Sequence, residues 1–315
     1  MEIIEVSYEE YGRIIEHPPF VFNSAEFNNL NSKKCDSVHY LLFKDVHYRL
    51  GIIGGIKNGQ FLSPFSAPYG GFSFMSKDLR LTYIDEAIDL LINWVKKHNF
   101  SGIYITLSSR TNDESYVPKF INSLFRKSFN IDKIDLNYSF NLDKFDDQYL
   151  KLIDAAARKA LKKSFINQLE FKYCESFNEK RIAFDLIKKH KSEHNYPLHL
   201  AFDGIIETSN IVVCDFFLVK DINSLPIASA IVYHVTKENV QLIYWGDLLE
   251  KRYLRVMNFL SYKIFEYYKV QGKKFVDVGP ASQDSIPDFG LCVFKESIGC
   301  EIASKFSFSI SFSNS

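Results

Sequence analysis

Tyr40–Asp45 reads YLLFKD and Phe216–Asp221 reads FFLVKD. Both are runs of aromatic and aliphatic residues closing on Lys-Asp, the composition of a strand that ends in a turn. Each is followed by a second apolar run, LGIIGGI at Leu50–Ile56 and PIASAIVYHV at Pro226–Val235. Turn residues and a third run come next, GQFLSPFSAPYGGF from Gly59 and NVQLIYWGDLL from Asn239. Each then meets a long helical pattern that feeds a further strand, Tyr83–Ser109 and Leu254–Ser282. Ile84, Ile88, Leu91, Ile92 and Val95 recur at helical spacing in the first, and Val256, Phe259, Leu260, Ile264 and Tyr267 in the second. The order strand-strand-strand-helix-strand thus occurs twice, about 170 to 180 residues apart, and reads as a duplication.

Short helical segments precede each repeat: Ser7–His17 and Ser24–Lys34 in the first half, Asn178–Asn195 and Leu198–Asn210 in the second. Between the halves, Phe145–Phe165 is Ala-rich with Asp at its start, which predicts a connecting helix. Near the C-terminus, IASKFSFSISFS alternates Phe or Ile with Ser, the pattern of a half-buried strand. The expected fold class is α+β, with mixed, mostly antiparallel sheets flanked by helices. Residues 1–144 are expected to form one domain and 145–315, opening with the connecting helix, a second.

The 315 residues are 46% apolar and 16% aromatic, ample for a large core and unlike a disordered chain. Lys+Arg and Asp+Glu both number 38, so no global charge points to nucleic acid or an anionic membrane. The five cysteines are scattered without C-x-x-C spacing, which argues against a disulfide framework and against zinc. MEIIEVSYEEYGR at the start carries four Glu and no long apolar core, unlike a secretory signal, and no run approaches the ~20 apolar residues of a membrane span. A cytoplasmic setting is expected. His190 and His194 have a metal-compatible i, i+4 spacing without an evident third ligand, so no metal is expected.

Three motifs carry a family likeness. Arg158-Lys159-Ala160-Leu161-Lys162-Lys163 leads into the second half. Gly272-Lys273-Lys274-Phe275-Val276-Asp277-Val278-Gly279 joins a helix to a strand, and Gly290-Leu291-Cys292-Val293-Phe294-Lys295-Glu296-Ser297-Ile298-Gly299 follows it. Taken in order with Phe22-Asn23-Ser24, they resemble the FemABX-like acyl and aminoacyl transferases, which are two fused domains of the GNAT acyltransferase type. Ile298 stands where that family has an aromatic, and Cys300 where it has a second glycine. The long helices also lack the Gly-rich entry turn by which acetyl-CoA-binding GNAT domains hold pyrophosphate. The stretches there are Phe74–Asp85 and Leu249–Phe259.

The resemblance implies transfer of an acyl or aminoacyl group from an activated ester to an amine of a cell-envelope precursor, such as an amino sugar or a peptidoglycan peptide. The expected co-substrate is an acyl-CoA such as acetyl-CoA, with aminoacyl-tRNA less favoured by the neutral charge and no tightly bound cofactor. A degenerate scaffold that binds without turnover is the rival from another class, and the missing glycines are what it predicts. Asp277 would assist deprotonation of the amine and Lys295 would stabilise the tetrahedral oxyanion. The donor would meet Tyr244, Trp245, Asp247 and Phe294, with its pyrophosphate near Arg252 and Arg255. Tyr69, Gly70 and Gly71 would face the acceptor through exposed loop amides, and Arg158 and Lys162 would offer a basic face. Each has a plainer reading. Phe294 is a core ring and Lys295 snorkels to water, Asp277 holds its own loop, and Tyr244 and Trp245 pack in the core. Gly70-Gly71 is then a tight turn, and the Arg158 helix face is merely solvated.

Overall fold

The computed structural model describes residues 1–75, 79–109 and 115–312. Residues 76–78 and Ser313, within stretches read above, lie outside it. The chain forms two compact units. In chain order the first half supplies β1 (Glu2–Val6), α1 (Tyr8–Ile14), α2 (Ala25–Leu30), β2 (Ser37–Lys44), β3 (Tyr48–Lys57), β4 (Gln60–Ser63), β5 (Phe72–Phe74), α3 (Leu81–Lys97), β6 (Gly102–Thr106), α4 (Tyr116–Arg126) and β7 (Asn130–Asn141). Then follow α5 (Tyr149–Leu152), α6 (Ala155–Ile166), β8 (Glu170–Tyr173), α7 (Phe177–Glu193), α8 (Phe202–Thr208), β9 (Cys214–Lys220), β10 (Pro226–His234), β11 (Asn239–Asp247), α9 (Val256–Val270), β12 (Phe275–Pro280), the short β13 (Ser282–Gln283) and β14 (Ile286–Pro287), α10 (Phe289–Ser297) and β15 (Glu301–Ser311).

The continuous apolar runs of β2 and β9 are explained by burial on both faces. Alternate side chains of β2 divide: Leu41 and Phe43 pack with Ile84, Ile88 and Leu91 of α3. Tyr40 and Leu42 pack with Tyr11 of α1 and Ala25 of α2. In β9, Phe217 meets Tyr267 and Tyr268 of α9, while Phe216 lies under Lys180 of α7. The duplicated Lys-Asp turn repeats in detail. Asp45 Oδ1 accepts the His47 N–H at 2.8 Å and Asp221 Oδ1 accepts the Asn223 N–H at 3.0 Å. Each carboxylate also takes a cation, Arg49 in the first case and Lys251 in the second.

Strand order in unit 1 is β1-β2-β3-β4-β6-β15, with β5 also on β3; in unit 2 it is β8-β9-β10-β11-β12-β7. Each sheet has one internal parallel pair, β4 with β6 and β11 with β12. Unit 1 comprises Met1–Leu136, Ser282–Ile286 and Ala303–Ser315, and unit 2 Asn137–Ala281 and Pro287–Ile302. The sixth strand of each sheet is therefore encoded by the other half of the chain: β15 pairs with β6, and Asn137–Asn141 of β7 pair with β12. A division at 144/145 follows chain order and leaves out this exchange. The predicted connecting helix is two helices. Ile153 is buried and Asp154 is extended (ψ 151°), so the chain turns between α5 and α6.

Candidate functional site

β11 and β12 run together only from Asn239/Phe275 to Gln241/Asp277. Beyond that point β11 continues to Asp247 while β12 turns at Gly279, whose φ of +77° suits glycine. A bulge in β11 at Ile243, where Ile231 faces Tyr244 and Val232 faces Leu242, helps to turn it away. Next to the free end of β11 lies the start of α9. The turn Leu249–Leu254 delivers the chain to Arg255, which is left-handed (φ 59°, ψ 36°) and gives the helix no side-chain cap. The first N–H groups of α9 are thus left uncapped by any side chain, with no acidic residue in the first turn. The absence of glycine from Leu249–Phe259 does not prevent the sharp entry that a Gly-rich turn would make; Arg255 adopts the conformation itself, at a cost of about 1–2 kcal/mol.

A cavity of about 420 Å³ opens at this point, within unit 2. Arg255, Val256, Met257 and Asn258 form one wall and Arg252, His190 and His194 another; Trp245 and Asp247 come from β11, and Gly290, Leu291 and Phe294 from α10 with its cap Asp288. Five of the six predicted donor residues, Trp245, Asp247, Arg252, Arg255 and Phe294, therefore share one cavity. The Trp245 and Phe294 rings lie 5.9 Å apart as an apolar wall. Tyr244, the sixth, does not line it; its ring lies beneath the Lys191 ammonium, at 5.7 Å. Asp247 is 2% exposed, with Oδ1 3.4 Å from His190 Nδ1 and Oδ2 3.5 Å from Arg252 Nε. Its Oδ1 has no hydrogen-bond partner among the described residues.

Lys295 reaches neither solvent nor this cavity. Phe294 turns to the cavity, and Lys295, one residue on along α10, points to the helix's other side and is 1% exposed. Its Nζ donates to the carbonyls of Gly279 (2.8 Å) and Pro280 (2.9 Å) and lies 5.5 Å from the Tyr138 ring centre. Burial pulls its pKa down to about 8, opposed by Cys300, Asp277 and Cys292 nearby. Asp277 is 3% exposed; its Oδ1 accepts from Gly279 N (2.7 Å) and Asn137 Nδ2 (3.0 Å). The two residues fasten the bulged end of β12 at Gly279 and Pro280, a role nearer the plainer reading of Asp277 than direct contact with a substrate. Snorkelling of Lys295 is excluded by the same geometry.

The first-half loop is packed into the fold. Tyr69 is buried against Phe20 and Phe22, at 4.9 and 5.2 Å. Gly70 N donates to Thr106 O and Gly71 N to Ser63 Oγ, so both amides expected to be exposed are spent within the fold. A Cβ on Gly70 would stand 2.7 Å from the Pro64 nitrogen, which accounts for the glycine by packing. On α6, Lys159, Lys162 and Lys163 are exposed. Arg158 is half-buried, with Nη2 3.4 Å from the Ile153 carbonyl. These three lysines form a solvated face.

Sequence reasoning weighed His190 and His194 only as a metal pair and gave Tyr196, Asn258, Asp288 and Leu291 no place in a site. The histidine spacing was the one visible signal. The rings stack at 4.4 Å, and among the described residues no group of three His, Cys, Asp or Glu is placed to hold a metal. Tyr196 enters because its hydroxyl donates to Asp288, which also caps α10 by accepting from Leu291 N; neither contact leaves a mark in local sequence. No helix among the described residues is long and apolar enough to cross a membrane.

No protein-family model and no curated protein matches the chain. Solved structures do. FemX aligns over 99% of this chain and 98% of its own, with TM-score 0.73 at 13% identity. The C-terminal domain of a putative lysylphosphatidylglycerol synthetase from Agrobacterium fabrum covers 96% of this chain and 92% of its own, with TM-score 0.62 at 12% identity. A tandem GNAT protein from the clavulanic acid biosynthesis pathway covers 100% and 99%, with TM-score 0.54 at 9% identity. At these identities the likeness concerns the backbone: the chain has the fold shared by FemX and the tandem GNAT protein.

Proposed function

We propose that the protein is an N-acyltransferase whose donor, an acyl-CoA-type thioester, binds in the cavity at the start of α9. One observation carries this reading. The uncapped N-terminus of a 15-residue helix faces a cavity that also receives Arg252 and Arg255, the combination of dipole, free N–H groups and guanidinium that holds phosphate. The apolar wall of Trp245 and Phe294 suits the uncharged arm of such a donor. The left-handed Arg255 supplies the sharp entry in the second half without glycine, which supports an enzyme over the scaffold alternative there.

In the proposed reaction an acceptor amine attacks the thioester carbonyl, the carbon–sulfur bond breaks, and the thiol departs with a proton. Asp247 is the carboxylate that lines the cavity, and its unpaired Oδ1 is proposed to take the proton from the attacking amine. Asp277 and Lys295 are proposed to be positioning residues behind the site, holding the Gly279-Pro280 end of β12. An envelope precursor remains the proposed acceptor, in keeping with the lysylphosphatidylglycerol synthetase likeness. Calorimetric titration with CoA and acetyl-CoA tests the donor. Saturable binding is expected, weakened about tenfold in Arg255→Gly, which keeps the left-handed backbone and removes one charge-assisted contact. No binding by the unsubstituted protein, or full affinity in Arg255→Gly, would reject this reading.

A further inference from the structure

Arg252 poses a problem that the proposed donor site, on which this inference rests, does not by itself solve. Its guanidinium stands beside Asp247, a carboxylate 2% exposed with one oxygen lacking a hydrogen bond. Collapse into a two-bond Arg–Asp pair would satisfy that oxygen and cancel the charge the donor needs. The structure stops short of that arrangement: Nε and Oδ2 form a looser ion pair at 3.5 Å. Instead Nη2 of Arg252 lies 2.7 Å from Nε2 of His194.

The other nitrogen of His194 fixes the sense of this bond. Nδ1 is 2.8 Å from the carbonyl oxygen of His190, and a carbonyl only accepts, so Nδ1 carries the proton and Nε2 offers a lone pair to Arg252. The ring is held by stacking on His190 at 4.4 Å and on Tyr196 at 5.7 Å. Tyr196 is tied in turn to Asp288 through its hydroxyl, at 3.0 Å. A neutral acceptor orients a guanidinium without neutralising it, which a carboxylate cannot do. We propose that His194 is the positioning residue that keeps Arg252 from closing a two-bond pair on Asp247 and leaves its N–H groups directed to the donor's phosphates.

The test is a double-mutant cycle on the full chain, read by CoA titration at pH 8 and by the nitrogen shifts of the imidazoles. His194→Leu is expected to weaken CoA about tenfold, while His194→Gln, whose side-chain carbonyl also accepts, stays within about twofold. His194→Leu/Arg252→Gln is expected to bind as Arg252→Gln alone does, since the histidine acts only through the arginine. The shifts should show His194 protonated on Nδ1. Independent, additive losses, full affinity in His194→Leu, or a proton on Nε2 would each overturn the role while leaving the donor assignment standing. Absence of CoA binding by the unsubstituted protein would reject the donor assignment and this role with it.

Discussion

A lysine ammonium that is 1% exposed has given up nearly all its hydration, and two carbonyls replace only part of it. In the unfolded chain Lys295 titrates near its ordinary value of 10.5; in the folded protein burial brings it to about 8. Between those values the unfolded state binds more protons, so the contribution of Lys295 to stability rises with pH from about 8 to 10.5, and its penalty is fully present below 8. Lys295→Met removes the titration. The stability of the wild type relative to Lys295→Met should therefore increase across that window, by up to about 3 kcal/mol, measured by chemical denaturation at several pH values. A difference that does not change with pH would contradict the buried charge. Lys295 also shows where single residues escape sequence reasoning. A lysine after a core phenylalanine reads as a surface residue, and the carbonyls it serves lie 15 and 16 positions earlier in the chain. Arg255 is similar, since nothing in its side chain announces a left-handed backbone.

Among the elements, α7 carries His190 and, just past its end, His194 to the cavity, and depends on its first turn. Ser176 Oγ accepts from Glu179 N, and the Glu179 carboxylate accepts from Ser176 N in return. The hydrogen bond from Lys172, with the Ser176 bonds, holds Glu179 down to about 2, so this anchor is intact above about pH 4.5 and is lost as pH falls toward 2. Ser176→Ala should cost about 1 kcal/mol, seen as a lower urea midpoint with unchanged slope; an unchanged midpoint would show that packing alone fixes the helix. Elements were the most legible level of the sequence. Helical spacing gave α3 and α9, and alternation gave β15, because each depends on neighbours within a few positions. The break between α5 and α6 was hidden by an Ala-rich stretch whose propensity is overridden at Ile153, a residue that the core takes in.

At the scale of the whole molecule, the duplication could be read because both copies must bury the same strands. The exchange of sixth strands could not, since pairing partners leave no local pattern. In unit 1, β15 closes the sheet through the register Ser307–Thr106 to Ser311–Gly102 and puts Phe308 into the core at 0% exposure. Removing residues 303–315 should therefore unfold a unit that is otherwise encoded by residues near the start of the chain. Hydrogen exchange on the truncated protein should show loss of protection in β4 and β6. Retained protection there would mean that the exchanged strand is dispensable.

That exchange also bears on synthesis. A ribosome releases the first 136 residues long before it makes β15, so the N-terminal sheet waits, its edge at β6 unpaired, until that strand has emerged. Neither half of the gene can then be lost without leaving the remaining sheet one strand short. The two copies have in this way become hostage to one another.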